Sequence, residues 1–74
     1  MFYISKERKE QRDWYKQQLR MLSPARQKQA REGYERAWQE AFEAEPVEHK
    51  KAGAARRAAN IRLRRFVERV IMQR

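Results

Sequence analysis

The sequence predicts an all-α fold, either a small three-helix bundle or a helical hairpin with an additional N-terminal helix, whose core dimerisation would complete. Three observations carry that reading. The 74 residues are rich in Ala, Glu, Gln, Lys, Arg and Leu, the strongest helix formers. The two prolines stand at Ser23-Pro24 and Glu45-Pro46, and proline suits the first turn of a helix. Apolar residues recur at spacings of three and four around these marks. One domain, residues 1–74, is expected, with helices over about 5–22, 24–44 and 46–73.

The first helix carries Tyr15, Leu19 and Leu22 on one stripe, with Trp14, Gln18 and Met21 beside it. Ahead of it, the apolar Met1–Ile4 is expected to form a short extended arm. Ser23 then supplies an N-cap oxygen directly before Pro24, which starts the second helix. Its stripe is Ala30, Tyr34, Ala37, Trp38, Ala41 and Phe42, small residues early and bulky ones late. Glu45 and Glu48 flank Pro46 as anions near a positive helix end. The third helix reverses the size order, with Ala52, Ala55 and Ala59 before Leu63, Phe66, Val67, Val70 and Ile71. Folded back antiparallel, Trp38 and Phe42 would face Ala52 and Ala55, and Ala30 would meet Phe66.

A core this small is marginal, because such a chain buries only about 60% of its unfolded surface. With no cysteine, disulfides cannot reinforce it. Ala54, Ala58, Ile61 and Met72 lie opposite the main stripe of the third helix. Either the first helix or a second copy of the chain should cover them, so a homodimer is expected.

The composition discards several functions. No thiol is present and His49 is the single histidine, so neither a metal site nor a cofactor is expected. Ser5 and Ser23 lack an orienting group or a glycine elbow, and the carboxylates lie among Arg and Lys on helix. The chain reads as not an enzyme. No uncharged run exceeds five residues, so no membrane insertion is expected and the chain reads as intracellular, in the cytoplasm.

Charge supplies the positive signal. The net charge is +9, and His49 to Arg65 holds seven Lys or Arg with no acid. At about 100° per residue, Lys50, Arg57 and Arg64 form one row, and Lys51, Arg62, Arg65 and Arg69 a second. Rows of this kind track phosphates and release their counterions. Asn60 and the small alanines between the arginines would allow close approach to a groove or stem. A nucleic-acid interface of Lys50, Lys51, Arg57, Asn60, Arg62, Arg64, Arg65 and Arg69 is therefore expected, with DNA and RNA undistinguished. Arg56 falls near the apolar stripe, where it should snorkel or pair with Glu35 or Glu45. The competing reading is a solvated face neutralised by Glu32, Glu35, Glu40 and Glu43.

Ala55-Arg56-Arg57-Ala58-Ala59-Asn60 resembles the arginine-rich helical peptides of phage antiterminators, and that likeness implies binding to RNA hairpins. It covers six residues, consists of Ala, Arg and Asn, and assigns no family. Helix-turn-helix and ribbon-helix-helix patterns are absent. The alternative function is an inhibitor or adaptor. In that reading Trp14, Met21 and Ile61 dock on a larger protein whose acidic surface attracts the basic face.

Overall fold

The structure, a computed structural model, describes residues 6–73, the side chain of Glu7 apart. The expected arm at Met1–Ile4 and the expected helix start at Ser5 lie outside the described residues. Three helices follow in order: α1 (Lys6–Arg20), α2 (Pro24–Ala44) and α3 (Lys51–Met72). No strand occurs among the described residues. The fold is all-α, as the composition predicts.

Each junction has a local cause. After Arg20 the chain tightens, with the Met21 and Leu22 amides donating to the Gln18 and Leu19 carbonyls at 3.2 and 3.0 Å. Helix α1 thus ends two residues before the expected Leu22. The Gln27 side-chain amide donates to the Leu22 carbonyl at 3.0 Å and satisfies that end. Ser23 is extended at ψ 160°, and its hydroxyl accepts the Arg26 amide at 3.4 Å while Pro24 opens α2. This is the predicted N-cap.

The third helix starts later than expected, at Lys51 rather than Pro46. Glu45 precedes a proline and is extended at ψ 117°, in line with the steric restriction on that position. Val47 is extended as well, and a single 3-10 turn over Glu48–Lys50 leads into α3. The Glu45 carboxylate accepts the Val47 amide at 3.1 Å. Pro46 therefore closes a reversal instead of opening a helix.

That reversal makes α2 and α3 an antiparallel hairpin, joined at the turn by Lys51 and Phe42 and further along by Tyr34 and Asn60. The core sits at the far end, where Leu22, Ala30, Leu63 and Val67 are buried together. Trp14, Tyr15, Leu19, Tyr34, Phe66 and Val70 pack around them. Ala55 and Ala59 are fully buried, which brings the neighbouring helices close along the first half of α3. Two expected contacts differ. Ala52 is exposed rather than buried beneath Trp38 and Phe42. Those two rings are only half-buried and stack on each other, centroids 5.0 Å apart at 14°.

Helix α1 lies across the hairpin on the Leu63 and Val67 side. Of the second stripe of α3, Ala54 and Ala58 are half-buried, while Ile61 and Met72 remain exposed, outside the cover that a sandwich by α1 would give. The result is a flat molecule, 41 × 32 × 16 Å in extent, with one long face of α3 open.

Candidate nucleic-acid interface

Ile61 crowns the open face of α3, and a groove runs on each side of it. One groove is lined by Gly53, Arg56, Arg57, Asn60 and Arg64. The other lies toward α2, with Ala37 and Ala58 beside Arg62, Arg65 and Arg69. Neither groove is lined by an acidic residue. The small residues matter here: a Cβ added at Gly53 would meet nothing within 4 Å, so the groove is open at that point. Gly33 of α2 gives Arg62 its space, since a Cβ there would stand 3.3 Å from the Arg62 Nε.

The cations divide into free and committed groups. Arg57, Arg62, Arg65 and Arg69 are exposed, and none makes an ion pair with Glu32, Glu35, Glu40 or Glu43 among the described residues. Glu43 is instead the acceptor for the Gln39 amide at 2.8 Å. Arg64 lies over the Trp14 ring, 5.9 Å from its centroid. Such stacking leaves the guanidinium edges free to donate to phosphate. Lys50 is exposed in the 3-10 turn that precedes the helix.

Two expected members, Lys51 and Asn60, are placed differently, and so is Arg56, expected near the apolar stripe. Lys51 is half-buried over the Phe42 ring, and its ammonium donates to the Phe42 and Glu45 carbonyls. It caps the C-terminus of α2, where carbonyls lack helical partners, and so leaves the second row. Asn60 turns into the bundle. Its amide pairs reciprocally with that of Gln11, at 2.8 Å in both directions, and its oxygen also accepts the Tyr34 hydroxyl at 2.9 Å. With its polar atoms engaged, Asn60 positions the helices and does not reach out. Arg56 is exposed and makes no ion pair with Glu35 or Glu45 among the described residues.

The residues expected to dock a protein differ in exposure. Trp14 is half-buried against the core and covered by Arg64, whereas Met21 and Ile61 are exposed. Trp14 and Ile61 line different grooves.

Gln11 is a positioning residue that periodicity misses, and Tyr34, on the predicted stripe of α2, adds its hydroxyl to the same contact. The Gln11 amide also donates to the Tyr34 hydroxyl at 3.1 Å, closing a three-residue network across α1, α2 and α3. Burial pushes the Tyr34 phenol above its usual range, with Tyr15 adding to the rise; the Gln11 hydrogen bond and Arg56 oppose it. Tyr15 is raised chiefly by burial, against Arg31. No group of three His, Asp or Glu that could hold a metal ion occurs among the described residues. Nor, among them, is any helix long and apolar enough to cross a membrane. Comparisons with protein families, with curated proteins and with solved structures each find no match.

Proposed function

We propose that this chain is a small, non-enzymatic nucleic-acid-binding accessory protein in which α3 tracks phosphates through Arg57, Arg62, Arg64, Arg65 and Arg69. One observation carries the reading: two acid-free, arginine-lined grooves flank Ile61, and their exposed guanidiniums lack ion-pair partners among the described residues. Guanidiniums already paired with carboxylates would displace few counterions from a nucleic-acid backbone, whereas these retain the charge that phosphate binding uses. Arginine also matches the phosphate oxygens through paired donors. Phosphate contact positions a nucleic acid without reading its sequence, so the binding proposed for these rows is largely sequence-independent.

Purification tests this directly. The ratio of absorbances at 260 and 280 nm should be high for protein isolated at low salt and should fall after a high-salt wash. A ratio that matches protein alone under both conditions speaks for the adaptor reading, with the basic face seeking an acidic protein surface.

A further inference from the structure

A separate groove lies where α1 crosses the hairpin. Tyr15 and Tyr34 line it, with Gln11, Arg12, Glu35 and Arg56 around them. The two rings meet edge to face, centroids 4.9 Å apart at 65°. Both rings line the groove, so a planar group entering it would meet aromatic surface. The Gln11 and Asn60 amides hold Tyr34 by its hydroxyl, so that wall of the groove is fixed. Arg12 and Arg56 are exposed at the rim, and Glu35 is the acid that lines the groove with them. Arg56 also lines the groove bounded by Gly53, Arg57 and Arg64. The aromatic groove and the phosphate-tracking face are therefore continuous through one side chain.

We infer that this groove seats an unpaired nucleobase, so that the nucleic acid taken by the α3 face is single-stranded or carries an unstacked base beside its stem. The inference rests on the phosphate-binding reading of α3 and adds the class of ligand. Stacked bases in a closed duplex keep their faces covered. A base in a single strand exposes both, and an aromatic side chain beside a cationic rim is the general means of holding it. Charge complementarity selects this occupant: a planar ring for the tyrosine groove, joined to phosphates for Arg12 and Arg56.

The test compares a short single strand, as DNA and as RNA, with a blunt DNA duplex of the same length at one salt concentration. Fluorescence anisotropy reads the affinities of the full chain, of Tyr15→Phe, which keeps an aromatic ring, and of Tyr15→Leu, which keeps apolar bulk alone. Loss of one base stack should weaken single-strand binding by about 5- to 150-fold. That loss is expected for Tyr15→Leu, with Tyr15→Phe near the unaltered protein and duplex binding unchanged throughout. The DNA and RNA arms show which sugar the site accepts.

If Tyr15→Leu loses its helical structure, two other measurements decide. Arg12→Gln alters only the rim and should weaken single-strand binding more than duplex binding. A 2-aminopurine base in the strand should lose fluorescence on binding to the unaltered protein, as a stacked base does. Equal affinity for strand and duplex, with unchanged 2-aminopurine emission, overturns the base seat while leaving the arginine face standing. Failure to bind any of the three nucleic acids overturns both.

Discussion

The paired amides of Gln11 and Asn60 fasten α1 to the hairpin, beside the packing of Trp14, Tyr15 and Leu19 and the Arg64–Trp14 contact. Asn60→Leu strips partners from Gln11 and Tyr34 together. In a half-buried site this should cost about 1 kcal/mol, the lower end for a group left unsatisfied. A Gln11→Leu, Asn60→Leu cycle read by urea unfolding should show the double change costing less than the sum of the singles. Simple additivity would mean that the amides do not act as a pair. The tyrosines add a pH dependence. Both phenols are raised from 10.0 in the folded chain, chiefly by burial. The unfolded chain therefore loses these protons first as pH rises, so their contribution is full below about pH 10 and is lost through the raised folded values. Thermal unfolding should shift downward above pH 10, and Tyr34→Phe should blunt the shift. A melting temperature that rises over that range would contradict the burial of these rings.

Among the helices, Leu63 is the largest side chain that is fully buried. Leu63→Ala should cost about 2–5 kcal/mol, comparable with the whole stability of a domain this small. Trp38→Ala should cost less, because Trp38 is half-buried and rests on Phe42 rather than on the core. Melting by circular dichroism ranks the two, and the reverse order would relocate the core to the turn. Gly53→Ala should raise stability by about 0.5–1 kcal/mol, since the added methyl enters open space and a helical glycine is entropically costly. Much of this level is legible in the sequence. Ser23-Pro24 marks the start of α2, and the stripe through Ala55, Ala59, Leu63 and Val67 is the buried one. The late start of α3 is harder to read, because proline fits both a first turn and the end of a reversal. Asn60 is harder still. Spacing places it beside the arginines, but only a tertiary contact with Gln11, 49 positions away, turns it inward. Lys51 is likewise periodic with Arg62 and Arg65, and it is the end of α2 that withdraws it.

The molecule as a whole is a flat basic body whose +9 charge is unevenly spread. Helix α1 covers the core on the Leu63 and Val67 side of α3 while the grooves beside Ile61 stay open, and Arg64, over Trp14 of α1 and lining a groove, belongs to both. The sequence places two basic rows along the third helix; contact with the end of α2 takes Lys51 out of the second, and Lys50 of the first lies in the turn ahead of α3. Their depletion leaves five arginines on one helix, spaced over Arg57–Arg69. That reduced set carries the central claim, and the salt dependence of binding tests it most directly. For single-stranded DNA titrated with salt, the logarithm of affinity should fall linearly with the logarithm of salt, with a slope of about −0.7 per phosphate contact. Arg65→Gln, Arg69→Gln removes two exposed cations that make no ion pair among the described residues. The doubly changed protein should bind more weakly and flatten the slope by about 0.7 per arginine, with its melting temperature nearly unchanged. An unchanged affinity and slope in this variant and in Arg57→Gln, Arg64→Gln, with helicity intact, would contradict the claim that α3 tracks phosphates.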